Sequence, residues 1–145
     1  MDIKKLENSS YAPYSGNGSY AVVKSINGHY FPGVRVENIS FPLTINSAQN
    51  ALFACLSEGE RPKAIYVKDV SARDIEFWRN EYNVWVYPLD ELKEPALKEV
   101  ALNIGRDIPD EMQKLFPKAV TPNSDFPVAA LLKTGQGVVS GVNIE

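Results

Sequence analysis

An alternation of strand-like and helix-like stretches is the feature that most constrains the fold of this 145-residue chain. Two apolar runs, residues 20–25 and 29–36, flank Ile26-Asn27-Gly28, and an Asn-Gly pair is typical of a tight hairpin turn. Helix, strand, helix and strand patterns then follow in that order at residues 47–57, 63–68, 72–80 and 84–87. A hairpin followed by alternating helices and strands predicts a mixed α/β sheet with helices packed on it.

The remaining sequence predicts two more helices and a second hairpin. Residues 95–104 predict a helix with Pro95 in its first turn, where the missing N–H is tolerated. Residues 109–116 predict a short helix, and residues 126–145 read as two more strands. We therefore expect a main domain over residues 1–108 and a short helix plus β-hairpin over residues 109–145.

Composition narrows the class of function. The chain is 44% hydrophobic, which is enough for one compact core. Its net charge of −3 argues against a nucleic-acid partner, because phosphate binding requires a cationic face. No apolar run resembles a signal peptide or a membrane span. We expect a cytoplasmic protein without a membrane partner.

The chain contains few residues of the types that bind zinc. The chain has one His and one Cys, so one subunit cannot provide three such ligands. Cys55 is predicted to be a small buried residue in the middle of a helix. His29 follows the hairpin turn and is predicted to face solvent. No carboxylate cluster with helical metal-site spacing completes a set, so we expect no bound metal or cofactor.

Two positions carry helix-capping signals. Asn46 precedes the predicted helix 47–57, and Gln49 lies three residues later, as in a capping box. Gly59 is suited to ending that helix. Ser71 with Asp74 predicts a similar cap for the next helix.

Several segments together resemble the cytidine deaminase family. They are Tyr11-Ala12-Pro13-Tyr14-Ser15, Gly33-Val34-Arg35-Val36-Glu37-Asn38, the phrase ENISFPLTINSAQNA at residues 37–51, and the helix that leads into Ser57-Glu58-Gly59. The resemblance covers roughly residues 9–68 and implies the three-layer α/β fold of that family. It also implies a zinc-bound hydroxide and a glutamate that moves protons.

The residues at the centre of the resemblance differ from the family. Where the family has a zinc-binding Cys and a catalytic Glu, this chain has Asn46 and Ala48. The family's P-C-x-x-C motif falls on residues 70–76, which contain no cysteine. Without the metal no hydroxide forms at neutral pH, and without a carboxylate at position 48 the proton shuttle is lost.

The C-terminus resembles the beginning of a second deaminase repeat. Residues 121–132 match the opening segment of the family, which is Tyr11–Ser15 in the first copy, and the first strand that follows it. Residues 141–145 match the later G-V-N-I-E phrase. Ser15, Gly33 and Glu37 then correspond to Ser124, Gly141 and Glu145, respectively. The second copy has one residue fewer in the hairpin turn. By resemblance, four residues of the second copy line a base pocket or bind ribose: Phe126, Val128, Asn143 and Glu145. The matching first-copy residues are Asn17, Ser19, Arg35 and Glu37, and Arg35 is predicted to pair with Glu37 on one strand face.

Four functions remain in competition. The first is a catalytically inactive deaminase-like domain with a structural, assembly or regulatory role, acting as a homo-oligomer or beside a partner deaminase domain. The second is nucleoside or nucleotide binding without chemistry, through Glu37, Tyr14 and Asn46 or through Phe126, Asn143 and Glu145. The third is an unrelated enzyme, for which Ser47 has no identifiable base. The fourth is a working cytidine deaminase. The last hairpin is expected to add strands to the chain's own sheet or to the sheet of another subunit. The alternative is that the chain is part of a longer tandem protein.

Overall fold

The computed structural model describes residues 3–68, 72–93, 95–98 and 108–145. The chain divides into two compact units. The first consists of Met1–Cys55 and Glu60–Lys98, and the second of Leu56–Gly59 and Glu99–Glu145. Among the described residues, no helix is long and apolar enough to cross a membrane.

A four-stranded mixed sheet forms the centre of the first unit. Its strands are β1 (Tyr20–Ser25), β2 (Tyr30–Val34), β3 (Pro62–Val67) and β4 (Trp85–Pro88), in the spatial order β2-β1-β3-β4. β1 is antiparallel to both β2 and β3, whereas β3 and β4 are parallel. The predicted hairpin and mixed sheet are confirmed. Gly28 adopts φ +85° in the hairpin turn, a conformation that favours glycine.

Two helices cover one face of this sheet. α1 spans Ser47–Ser57 and α2 spans Ala72–Tyr82. Their buried side chains form one apolar core with those of the sheet, made of Ala21, Val23, Phe31, Ala48, Ala51, Leu52, Cys55, Ile65, Val67, Trp78 and Val84. The predicted bounds of α1 match the structure. Gly59, at φ +74°, lies just beyond its end, as the sequence predicted.

The opposite face of the sheet is covered by short segments. Leu6, Val22 and Leu97 are buried together there. The predicted helix 95–104 is wrong over residues 95–98, where Leu97 pairs with Tyr30 in a β-bridge and the Lys98 N–H donates to the Tyr30 carbonyl (2.8 Å). Burial of Leu97 beside the hairpin thus overrides the helical preference of this segment. Residues 99–104 and the predicted Ser71 cap lie outside the described residues.

The second unit contains a helix and a hairpin. α3 spans Ile108–Leu115, one residue from the predicted range. β5 (Ala129–Thr134) and β6 (Gly137–Val142) form an antiparallel pair, so the predicted second hairpin is confirmed. α3 contacts both strands.

The second unit repeats the hydrogen bonds of the first. Tyr11 N–H donates to the carbonyl of Arg35, and Val120 N–H donates to the carbonyl of Asn143. Gly16 and Asp125 both adopt positive φ, +69° and +52°. The correspondence extends upstream of the sequence resemblance to buried Leu6 and buried Leu115. Residues 115–145 therefore reproduce the local structure of residues 6–37.

Candidate functional site

A cavity of about 560 Å³ lies where α1 begins and β3 ends, both in the first unit. Its walls come from residues on either side of the opening segment, the residue after β2, the start of α1, the end of β3 and one side of α2. The lining residues are Glu7, Asn17, Gly18, Ser19, Arg35, Asn46, Ser47, Ala48, Val67, Lys68, Asp74 and Trp78. Asn46 and Ala48, the two positions at the centre of the resemblance, therefore meet at one concave site.

Asn46 is used as a helix cap. Its Oδ1 accepts the backbone N–H of Gln49 at 2.8 Å, and its carbonyl accepts the N–H of Asn50 at 3.0 Å. The first of these bonds satisfies a donor that the first turn of α1 would otherwise leave without a partner, and the second is the first hydrogen bond of the helix itself. The predicted cap is confirmed, and it commits the Asn46 side-chain oxygen to the protein backbone.

The next two residues place small groups on the cavity wall. The Ser47 hydroxyl lies 3.4 Å from that of Ser19, a long and weak contact. Ala48 is buried at 7% exposure and contributes only a methyl group. No ionisable group is therefore present at position 48.

Glu37 lies beneath the opening segment and does not line the cavity. The N–H groups of Tyr14 and Ser15 donate to its Oε2 (3.0 and 3.1 Å), and the Ser15 hydroxyl donates to Oε1 (2.5 Å). Arg35 Nε donates to the same Oε1 at 2.9 Å, which confirms the predicted pair. The Ser15 hydrogen bond is the strongest influence that lowers the pKa of Glu37, to about 2, and the two backbone donors and Arg35 add to it against the effect of burial.

Glu37 and Tyr14 are thus brought together through the Tyr14 backbone. Glu37 is 6% exposed, whereas the Tyr14 ring is 61% exposed. Both oxygens of the carboxylate are occupied by the protein itself. The arrangement holds the opening segment over β2, and a role for these two residues in nucleoside binding stays a prediction.

The thiol of Cys55 is enclosed in the core. Cys55 has no exposed surface, and its Sγ lies 3.5 Å from the Glu60 carbonyl, to which it donates. Burial raises the pKa of the Cys55 thiol to about 12, so the thiol is protonated at neutral pH. The prediction of a buried structural cysteine is confirmed.

His29 is exposed, as predicted, but it has a partner that the sequence did not reveal. Its Nδ1 lies 2.8 Å from Glu60 Oε1, and the Lys98 ammonium donates to the same oxygen at 2.9 Å. Burial raises the pKa of Glu60, but Ser25, Lys98 and His29 outweigh this effect and lower it to about 2. His29 thus belongs to a polar cluster at the hairpin tip, and neither it nor Cys55 lines the cavity.

A family profile described as the cytidine and deoxycytidylate deaminase zinc-binding region matches residues 4–70. These residues contain the hairpin, α1 and β3 around the cavity. The resemblance of this chain to the cytidine deaminase family is confirmed. A search of curated protein sequences found no significant match.

Solved cytidine deaminases have a similar arrangement. The enzyme from Mycobacterium leprae is 21% identical over 59% of this chain and 80% of that chain, with a TM-score of 0.50. The enzyme from Mycobacterium tuberculosis is 22% identical over 57% of this chain and 76% of that chain, with a TM-score of 0.49. The enzyme from Burkholderia pseudomallei is 26% identical over 55% of this chain and 76% of that chain, with a TM-score of 0.45. At 21% identity, the match to the Mycobacterium leprae enzyme shows the fold alone. This fold is a mixed α/β, deaminase-like fold.

The residues around the cavity do not fit the zinc of cytidine deaminases. Zinc in a deaminase is held by one His or Cys and two further Cys, whereas the described lining offers amide, hydroxyl, carboxylate and cationic groups. No group of three His, Cys, Asp or Glu side chains is arranged for a metal among the described residues. The donor set at this deaminase-like site therefore favours hydrogen bonding over zinc coordination.

In the C-terminal segment, the predicted site residues are held by contacts within their own loop. Asn143 donates from Nδ2 to the Phe126 carbonyl (3.1 Å) and accepts the Val128 N–H at Oδ1 (2.8 Å). Glu145 accepts the N–H groups of Asn123 and Ser124 and the Ser124 hydroxyl, in the manner of Glu37. The Phe126 ring is 69% exposed. Asn143 and Glu145 thus shape the loop that carries Phe126, and ligand contact by the three stays a prediction.

Sequence reasoning missed several residues of the deaminase-like cavity, among them Lys68 and Glu7. Lys68 lies at the carboxyl end of β3, a position where ligands commonly bind in α/β proteins, and this signal was available from the sequence. Glu7 comes from the turn before the opening segment, and no local pattern marked it.

Proposed function

We propose that this chain is a catalytically inactive cytidine deaminase-like domain with a role in assembly. The observation that carries the proposal is the use of Asn46 as a helix cap. At the position where the family has a zinc ligand, this side chain satisfies the backbone of α1.

The distribution of other reactive groups supports the loss of catalysis. Ala48 stands where the family has a glutamate, so no side chain at position 48 can transfer a proton to the cytosine ring. The single thiol is buried and protonated, and the single imidazole is bound to Glu60. A hydrolytic deaminase requires both an activated water and a proton carrier, and this chain supplies neither in the family's way.

The loop before α1 supports a role in assembly. Ile39, Phe41 and Leu43 are 85%, 76% and 65% exposed, so three large apolar side chains project within five residues. Exposed apolar side chains that lie close together are a feature of protein interaction sites. The proposal therefore includes a protein partner, either a second copy of the chain or another deaminase domain.

Metal content and turnover test the proposal together. The purified chain should contain substoichiometric zinc and should not convert cytidine, deoxycytidine or deoxycytidylate, measured by the loss of the cytosine absorbance with an active cytidine deaminase as the positive control. The His29→Ala and Cys55→Ala variants should have the same metal content as the unmodified chain. Stoichiometric zinc together with turnover would refute the proposal.

Nucleoside or nucleotide binding without chemistry is the second candidate function. The cavity volume of about 560 Å³ lies in the range of small-molecule sites. Arg35, Lys68 and Asn17 place two cations and an amide on its wall, together with the carboxylates of Glu7 and Asp74, and a lining with donors and acceptors of both kinds suits a hydroxylated ligand. Calorimetry with cytidine, uridine and their monophosphates tests this function, with Lys68→Ala as the matched variant. Heat that is lost in Lys68→Ala would support it, and no heat at millimolar ligand would remove it.

A further inference from the structure

Gly33 shows what covers the hairpin of the first unit. A Cβ atom on Gly33 would lie 2.1 Å from the Ala51 nitrogen and 2.6 Å from the Ser47 carbonyl oxygen, so the backbone of α1 rests directly on this glycine. Beside it on the same face, Val23 is fully buried. This face of the first hairpin therefore requires a glycine at position 33. The residues of α1 that contact it are small.

The second hairpin has the same face without a helix on it. Ala130 pairs with Gly141 and Leu132 with Val139, as Ala21 pairs with Gly33 and Val23 with Phe31 in the first unit. We call Ala130, Leu132, Val139 and Gly141 the open face. A Cβ on Gly141 would meet no described atom within 4 Å, and Leu132 is 66% exposed where Val23 is 0%.

One edge of β5 is also available. In the first unit, β1 lies between β2 and β3. In the second unit, β5 pairs only with β6 among the described residues. A strand edge with unpaired N–H and carbonyl groups accepts another strand.

We propose that the open face and the free edge of β5 form a docking site for a helix–strand segment of the α1–β3 type. The helix would place small residues, such as Ser and Ala four positions apart, on Gly141, and the strand would add antiparallel to β5. The internal repeat specifies this occupant, because the matching surface of the first unit is filled in that way. The inference rests on the assembly part of the proposed function and is independent of the loss of catalysis.

A peptide of residues 45–68 of this chain is the probe, because it contains the Asn46 cap, α1, the Gly59 loop and β3. We expect the fluorescently labelled peptide to bind the full chain with saturable anisotropy. The Gly141→Ala variant should weaken binding by at least about tenfold, since a methyl group would penetrate the docked helix backbone. Gly135→Ala adds the same methyl group in the hairpin turn, where no described atom lies within 4 Å, and should bind normally.

Three results would overturn the inference. The first is the absence of saturable binding to the full chain. The second is equal binding by Gly141→Ala and the unmodified chain, which would place the peptide elsewhere. The third is dimerisation of the chain alone that Gly141→Ala abolishes and that excess peptide does not displace, which would assign the face to a surface of a second copy other than its α1–β3 segment. Circular dichroism of both glycine variants checks folding, and zinc content and turnover remain separate tests of the inactive-domain proposal.

Discussion

Gly33 and Ala51 lie so close that a methyl group on the glycine would come within 2.1 Å of the Ala51 nitrogen. The contact fixes the distance between the hairpin and α1, and α1 in turn carries Asn46, Ser47 and Ala48 to the cavity. A glycine in the hairpin therefore determines where the candidate site lies.

The first prediction concerns that contact. Gly33→Ala should destabilise the chain by about 3 kcal/mol, at the upper end of the usual cost of overpacking, because the obstacle is helix backbone. Urea unfolding followed by circular dichroism measures the change. Gly135→Ala serves as the control and should remain within about 0.5 kcal/mol of the unmodified chain. Equal stability of the two variants would contradict the close approach.

The second prediction concerns the cap of α1. Asn46→Ala should lower the free energy of unfolding by about 1 kcal/mol, because the Gln49 N–H loses its acceptor. Asn46→Asp retains an acceptor at the same position and should keep most of the stability. The comparison is made by denaturant titration, and a neutral Asn46→Ala would show that the cap is dispensable.

The third prediction concerns acid stability. The pKa of Glu37 is about 2 in the folded chain, against an ordinary value of 4.5. A lowered folded-state pKa means that the ionised carboxylate stabilises the fold above pH 4.5 and that this contribution is lost as the pH falls toward 2. The Tm of Glu37→Gln should therefore lie below that of the unmodified chain at neutral pH, and the difference should shrink as the solution is acidified through this interval.

Glu76→Gln is the control for the acid series, because Glu76 is exposed on α2. Its Tm difference from the unmodified chain should remain small at every pH. A Glu37→Gln difference that stays constant with pH would show that hydrogen-bond geometry, and not the charge, is what the substitution removes.

The fourth prediction concerns Cys55. Because its thiol is buried and protonated, thiol reagents should modify the native chain only as fast as the core opens. Denatured chain should react at once with one equivalent. A Ser40→Cys variant in a Cys55→Ala background, with the thiol at an exposed position, should react rapidly while folded. Rapid labelling of native Cys55 would contradict the packing described for α1.

The fifth prediction concerns assembly. If the loop before α1 contacts a protein partner, the unmodified chain should sediment as an oligomer or bind a deaminase domain, and Phe41→Ser should weaken that association. Ser replaces a side chain that is 76% exposed, so the stability of the monomer should change little. A purely monomeric chain without a deaminase partner would contradict the assembly role.

Local sequence signals predicted α1 well because both of its ends are chemically marked. Asn46 caps the start, Gly59 permits the turn after the end, and the residues between them favour a helix. The Asn27-Gly28 turn and the Arg35–Glu37 pair were also predictable, since they depend on residues close in sequence.

Longer-range contacts escaped sequence reasoning. Residues 95–98 are extended because Leu97 is buried beside Tyr30, a contact across more than sixty positions that a local helix pattern does not contain. The binding of Glu60 to both His29 and Lys98 likewise joins three separate segments. Lys68 had a positional signal, whereas Glu7 reaches the cavity only through the folding of the opening segment.

The sequence by itself determined the order of the elements, the capping of α1, the supply of one imidazole and one thiol, and the repetition of the opening motif near the C-terminus. Those properties follow from composition and from interactions between neighbouring residues. Only the tertiary structure decided that Glu37 serves the backbone of Tyr14 and Ser15, and that Gly33 lies under a helix while Gly141 lies open. The physical reason is that burial and hydrogen-bond partners depend on which distant segments meet, and no local pattern specifies that.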